Sequence, residues 1–420
     1  MSAEDDVEVV VALDHLQLVQ RLLARHEVPC EVPDELTDAD LGLALLRLSP
    51  GSAKRLVTAL SVPQGHPGHH AWVSGRSGER PVTVDDVLVS LRSTFERRYA
   101  GWVPTLGKNR LVGSVNGGGG SVSHGGGPAP TAANRPARWR HGTAGEGVTV
   151  GVLDTALYAH PELAGGYLGA SSTDVLADSS AADATLPFAA GHATFVTGIV
   201  LDQAPRATVR VRAVLKSGGD ATSWDVAKAI VSLGRTGIQV LNLSLVCYTE
   251  DNKPPLVLST AVDRLPPDVL VIACAGNHGD PVLALADDEH RRPSWPAALD
   301  DVVAVGSAPP GSVPGRYEPS AFTPLDAEWI DVLTVGEQVV STYFTGKGAG
   351  ATGEPTSFHG WAQWGGTSFS AALLTGKVAA RASIDRTSAR AAYAALRPAP
   401  PTSPLSLPDD GPYLPPFLPS

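Results

Sequence analysis

Val150-Gly151-Val152-Leu153-Asp154-Thr155 is an apolar, β-branched run that stops on a carboxylate. A run of this kind reads as a strand buried on both faces, as in parallel sheets. Strands are expected at Val148–Leu153, Val209–Leu215, Val240–Leu245, Val269–Ala273 and Val302–Val305. Helical stretches fill the intervals at Thr194–Leu201, Thr222–Leu233 and Leu256–Arg264. Strands alternating with helices predict an α/β domain, a doubly wound parallel sheet with helices on both faces. Ligands of such sheets bind beyond the carboxyl ends of the strands, which is where Asp154 falls.

Two more strings stand at helix starts, Gly191-His192-Ala193-Thr194 and Gly366-Thr367-Ser368-Phe369-Ser370-Ala371. A serine hydroxyl is a poor nucleophile at neutral pH, so an imidazole must take its proton as it attacks a carbonyl. A buried carboxylate then fixes the imidazole tautomer and stabilises the imidazolium. Each residue alone also has a plainer reading. Asp154 suits a turn or N-cap, His192 could cap Thr194–Leu201, and Ser368 could cap the helix through Ala371, Leu374, Val378 and Ala379. The order Asp, His, Ser with matching flanks outweighs these, and from about Gly147 to Arg397 the chain resembles the subtilisin-like serine proteases, the subtilases.

That resemblance implies a subtilisin-like fold in which Ser368 attacks, His192 is base and then acid, and Asp154 orients His192. Val269–Ala273 leads into Cys274-Ala275-Gly276-Asn277-His278-Gly279, which is similar to the family's oxyanion-hole loop. Asn277 would donate its side-chain N–H to the oxyanion and Ser368 its backbone N–H. Substrate would add as an antiparallel strand. By resemblance its edges are Ser217, Gly218 and Gly219 on to Ala221, and Ser244, Leu245 and Val246, with Ala275 and Gly276 also on the substrate side. His160-Pro161-Glu162-Leu163 resembles a family loop whose histidine is structural. Trp295-Pro296-Ala297 with Val302–Gly306, and Trp329–Leu333 with Val339–Thr342, resemble further family segments.

The chain departs from the family at four places. Phe195 stands for a second histidine, Ala193 for a glycine, and Ala372 for a proline in the first turn of the nucleophile helix. Val246-Cys247 replaces a pair of glycines along the substrate edge, which predicts a narrowed pocket and restricted specificity. The expected activity is a serine endopeptidase acting on a peptide or protein substrate. An acyl-transfer ligase or macrocyclase shares the same residues, and a non-catalytic peptide-binding module is the competing class.

A length of 420 residues suggests two domains, and 43% hydrophobic content suffices for a sizeable core. The net charge of −11 argues against nucleic-acid and anionic-membrane partners. Cys30, Cys247 and Cys274 are the three cysteines, an odd and scattered set that reads as free thiols. The acidic start Met1–Asp6 lacks the basic residues and apolar core of a signal peptide, and no apolar run reaches membrane-spanning length, so a cytoplasmic protein is expected. No cofactor is expected. His66, His69 and His70 sit in a Gly-Pro loop without a nearby cysteine, so no metal is assigned to them. Calcium is conceivable at Asp287-Asp288-Glu289 or at Asp174, Asp178 and Asp183, but neither set has a recognisable loop spacing.

Residues 1–107 read as a separate α+β domain. Val7–Leu13 is a strand running into Leu16, Leu18, Val19, Leu22 and Leu23, an apolar face with helical spacing. Leu41–Leu48 suits a strand or a short helix, and Gly51–Leu60 a helix. Thr83-Val84-Asp85-Asp86 opens a capped helix with Val84, Val87, Leu88, Leu91 and Phe95 apolar. By position and size this domain is expected to act as a propeptide, an intramolecular inhibitor or folding chaperone, with a docking domain as the alternative. Residues 108–140 form a Gly/Pro-rich linker expected to be flexible, 141–397 the peptidase domain, and 398–420 a proline-rich, extended tail.

Overall fold

The computed structural model describes residues 6–30, 32, 34–61, 81–114, 127–177, 184–313, 318–324, 327–349 and 354–397. Two compact units make up the chain, Met1–Asn109 with Pro255–Thr260, and Arg110–Pro254 with Ala261–Ser420.

In the first unit β1 (Val7–Ala12) runs directly into α1 (Leu13–Arg25). β2 (Thr37–Asp38), β3 (Leu43–Leu48), α2 (Pro50–Leu60), α3 (Val84–Arg98) and β4 (Leu106–Lys108) follow. The strands form an antiparallel sheet in the order β2-β3-β1-β4. The stretch Leu41–Leu48, open between strand and helix from its composition, resolves as a strand over Leu43–Leu48 after a turn at Leu41 and Gly42, because β1 supplies a partner for each residue from Val7↔Leu48 to Ala12↔Leu43. Two helices begin where local chemistry dictates. Ser49 caps α2, with Pro50 first in the helix, and Thr83 and Asp86 close a reciprocal capping box on α3. Val9, Val11, Leu22, Leu23, Leu46, Leu56, Leu88, Leu91 and Phe95 meet in one apolar core.

The second unit opens with β5 (Leu111–Ser114) and β6 (Thr131–Ala132). Next come β7 (Thr149–Asp154), β8 (Leu157–Tyr158), β9 (Tyr167–Gly169), β10 (Val175–Leu176), α4 (His192–Gln203), β11 (Thr208–Ala213) and β12 (Asp220–Thr222). After α5 (Ser223–Gly234) come β13 (Val240–Leu243), β14 (Leu245–Val246), α6 (Leu256–Asp263, of which Leu256–Thr260 is counted with the first unit), β15 (Leu270–Cys274), β16 (Val302–Ala308) and β17 (Val332–Val335). The long hairpin β18 (Val339–Ala349) and β19 (Pro355–Trp364) leads to α7 (Thr367–Asp385) and α8 (Ala389–Leu396).

Seven strands form one parallel sheet in the order β17-β16-β15-β13-β7-β11-β9, flanked by helices as the alternation implied. The chain passes from β7 to β11 on one side and later returns to β13 on the other, so the order reverses at β7. That reversal opens a crevice at the carboxyl ends of β7 and β13. α4 and α7 pack on each other there, and almost every residue of α4 from His192 to Leu201 is buried. A helix apolar all round must be enclosed, and this one starts at the crevice.

Two plainer readings fail and one strand expectation is corrected. Ser368 does not cap its helix: α7 starts at Thr367 after Gly366, so Ser368 lies inside the first turn. His192 is likewise the first residue of α4, after Gly191. The run Val240–Leu245 is not one strand. It breaks at Ser244 because Leu245 and Val246 leave the parallel sheet to pair with β5.

Candidate active site

Asp154 ends β7 and His192 begins α4, and both side chains are fully buried. His192 Nδ1 lies 2.9 Å from Asp154 Oδ1 and 2.8 Å from Oδ2. A carboxylate only accepts, so Nδ1 carries the proton and Nε2 presents its lone pair on the far side of the ring. Thr155 N–H donates to Asp154 Oδ1 at 2.6 Å, which holds the carboxylate in place. Trp364 meets the imidazole edge-on at 5.7 Å and Phe369 lies at 5.6 Å, so the ring is clamped as well as hydrogen-bonded.

Ser368 is fully buried, and its carbonyl lies 3.1 Å from Ser244 Oγ, tying the first turn of α7 to the end of β13. The start of α7 aims its first N–H groups and positive dipole end at the same point. His192 Nε2 and Ser368 Oγ are both buried and make no hydrogen bond. Most buried polar atoms are paired, and an orphan costs about 1–3 kcal/mol, so each of these two is kept at some expense of stability.

Asn277 is buried, with Oδ1 accepting from Thr367 N at 3.0 Å and from Thr367 Oγ1 at 3.1 Å. Because both donors hold the oxygen, the Nδ2 end of the amide is turned away from Thr367. Thr367 Oγ1 accepts from Gly276 N at 3.0 Å, locking the loop to the helix start. Gly276 has φ +94, and an added Cβ would lie 2.9 Å from His278 Nδ1 and 3.1 Å from Tyr248 Oη. Tyr248 Oη and His278 Nδ1 are 3.0 Å apart, and Arg292 stacks on Tyr248 at 4.4 Å, so the loop is backed by a packed polar cluster.

The expected substrate edges hold a strand already. β5 lies between β12 and β14 and pairs antiparallel with both, with Gly113 opposite Asp220 and Val246, and Ser114 opposite Leu245. Ser114 N–H donates to Gly219 O at 2.6 Å. Thus Gly219, Leu245 and Val246 touch β5, Ser244 holds Ser368, and Ala275 and Gly276 precede Asn277. Ser217 and Gly218 form the turn before β12. Leu111–Ser114 and Thr131–Ala132, which composition assigned to the linker, are strands because the cleft and β19 supply main-chain partners.

Other expectations fall as follows. His160 is structural, accepting from Glu162 N through Nδ1 at 3.2 Å and bonding Gly360 O through Nε2 at 2.9 Å. Phe195 fills its position as core, 4.5 Å from Phe369 and 5.7 Å from Trp364. Burial pushes the thiols of Cys247 and Cys274 up to about 12. Asp174 is a staple, accepting from the backbone of Ala170, Ser171 and Ala213. Glu289 serves Ala286 N and Arg292. Among the described residues no group of His, Cys, Asp and Glu is placed to hold a metal ion. His66, His69, His70, Asp178, Asp183 and the tail from Pro398 lie outside the described residues. No described helix is long and apolar enough to cross a membrane.

Sequence reasoning missed Trp364, Thr367 as the anchor of Asn277, and β5. The first two carried no motif of their own; β5 did show a short apolar pair, Leu111-Val112, ahead of the glycine tract.

A carboxylate bonded to an imidazole, and a buried hydroxyl and an amide on the adjoining helix start and loop, are the side-chain types that acyl-transfer chemistry requires. The chain belongs to the subtilase family, whose model matches residues 145–394. It is similar to mycosin-3 of Mycobacterium tuberculosis, 30% identical over 301 residues that cover 60% of this chain and 62% of that protein. It is also similar to the major intracellular serine protease of Bacillus subtilis, 28% identical over 220 residues covering 49% of this chain and 63% of that one. The chain therefore spans less than two thirds of either relative. Among solved structures it is similar to a lanthipeptide protease, 26% identical with a TM-score of 0.47, covering 60% of this chain and 79% of that one.

Proposed function

We propose that this chain is a serine endopeptidase in which Ser368 attacks the scissile carbonyl, His192 Nε2 takes the proton and returns it to the leaving amine, and Asp154 holds His192. Asn277 Nδ2 and the Ser368 backbone N–H receive the developing oxyanion. The observation that carries the reading is β5: an extended segment bound antiparallel between two edges, its register running from Val246 to Leu245 toward Ser244 and Ser368. That is the pose in which a peptide substrate would be held for cleavage. A fluorophosphonate probe should label Ser368 and fail on Ser368→Ala; a folded protein that hydrolyses peptide normally without Ser368 would sink the reading.

The same strand supports intramolecular regulation. Leu111–Ser114 follows the N-terminal domain directly in sequence, so a substrate can enter only if this segment leaves or is cut. Restricted specificity is part of the proposal. Val246 is buried opposite Gly113, and the side chain of the residue before the scissile bond would emerge on the same face as Val246. Val246→Gly should raise kcat/KM for bulky residues at that position relative to small ones. The unpaired state of Cys30, Cys247 and Cys274 supports a reducing, cytosolic setting.

A further inference from the structure

The segment from Gly127 to Arg140 is fastened to the peptidase unit independently of Leu111–Ser114. Gly127 N–H donates to Asp280 Oδ2 at 3.0 Å, and Trp364 Nε1–H donates to Pro128 O at 2.8 Å. Thr131 and Ala132 pair with Gln363 and Ala362, and Ala133 N–H donates to Trp361 O at 3.2 Å. Trp139 packs edge-on to Trp361 at 4.8 Å, and Arg140 donates to the carbonyls of Glu162 at 2.9 Å and Pro205 at 3.2 Å. Every one of these partners lies after residue 140. A cut anywhere before Gly127 removes none of them.

The position of Gly127 gives this fastening a consequence. Its φ is +92, and an added Cβ would stand 2.9 Å from Asn277 Nδ2 and 3.7 Å from Gly365 O. Its backbone thus passes directly over the amide that faces the oxyanion. A peptide bound as β5 is runs past Leu245 and Ser244 to Ser368. Beyond Ser368 it must leave by Asn277 and Gly365, where Gly127 and Pro128 already lie. An extended chain advances about 3.3 Å per residue, so roughly one or two residues beyond the scissile bond bring it to that obstacle.

We infer that Gly127–Ala132 is a fixed wall across the leaving-group side of the cleft, retained after any cut in the preceding linker, which restricts the enzyme to substrates with a short segment after the scissile bond. The inference rests on the endopeptidase reading and adds a limit on the substrate that the reading does not contain.

The test uses the full chain with a recognition sequence for an unrelated site-specific protease placed in the Gly117–Gly120 tract, so that the linker is severed on demand. Two substrates share one sequence up to the scissile bond; one ends in p-nitroaniline and the other continues for about eight residues as an internally quenched peptide. The severed enzyme should turn over the anilide with kcat/KM about 10–100-fold above the long peptide, the scale on which ångström-level misplacement acts. Ala133→Pro removes the donor to Trp361, loosens β6, and should close that gap with the anilide rate unchanged; Asp280→Ala serves the same purpose where the proline variant does not fold. Gly127→Ala should lower kcat on the anilide, because the methyl reaches Asn277 only if the segment stays in place.

Equal rates on the two substrates overturn the inference, as does a folded loosened variant that keeps the wild-type ratio, or a Gly127→Ala enzyme with unchanged kcat. Failure of the severed wild type to react with a fluorophosphonate at Ser368 would instead bring down the endopeptidase reading and this inference with it.

Discussion

Among the described residues the N-terminal unit buries just two polar side chains, Ser52 and Thr94, beneath an interior of valines, leucines and Phe95. The seven-stranded unit buries Asp154, His192, Asn242, Asn277 and Ser368, along with seventeen other serines and threonines. Both units have apolar cores, so the contrast is not one of hydrophobicity. Burying a polar group costs free energy unless it is paired, so the second unit depends on hydrogen bonds inside its core in a way the first does not. His192 Nε2 and Ser368 Oγ, two of the buried atoms there without a hydrogen bond, are those the proposed chemistry would use. The first unit should therefore respond to changes in volume, the second to changes of single atoms.

The sharpest break of that contrast is Asp154→Asn, expected to cut kcat by about 10⁴ through loss of the correct His192 tautomer. Ser368→Ala should be at least as damaging to turnover while leaving the melting temperature unchanged or raised, since it deletes an orphan hydroxyl. A Ser368→Ala protein that melts well below wild type would show that the hydroxyl is structural.

Phe95→Ala in the N-terminal unit should do the opposite, costing about 3–5 kcal/mol of stability in denaturant titrations by opening a cavity in a fully packed site. Asn277→Ala comes next, with hydrolysis slowed about 10²–10³-fold from loss of one oxyanion donor. Thr83→Ala should remove the capping box of α3 and about 1 kcal/mol.

The smallest expected effect is none. Burial holds Cys247 and Cys274 at about 12, so both stay protonated and shielded, and iodoacetamide at pH 8.5 should leave them unmodified in the native protein. Labelling of Cys274 under those conditions, read by peptide mass spectrometry, would mean that the crevice opens far more than its packing suggests.

Much of the peptidase unit was legible because its strands are buried on both faces and its helices start at marked residues. Asp154, His192, Ser368 and Asn277 were each named from short strings, and the structure brings all four to one crevice. Where reading failed, pattern was short or absent. The break at Ser244 could not be seen in Val240–Leu245, because Leu243 and Leu245 flank it alike; what splits the run is the partner that β14 finds in β5. Trp364 carries no motif, yet it clamps His192 through geometry alone.

By itself the sequence determined the alternation of strand and helix, the identity of the reactive side chains, and the caps on α2 and α3. Each of these is set by residues within a few positions of one another. Only the tertiary structure decided what becomes of the two ends of the glycine-rich linker. Leu111–Ser114 pairs with Val246 and Asp220, and Pro128 is held by Trp364, 236 residues further on. Those bonds are made by main-chain groups that every residue carries, so no choice of side chain in the linker announces them. Two- to four-residue strands are too short for a period to show, and their existence depends on edges that form only when the rest of the domain has folded.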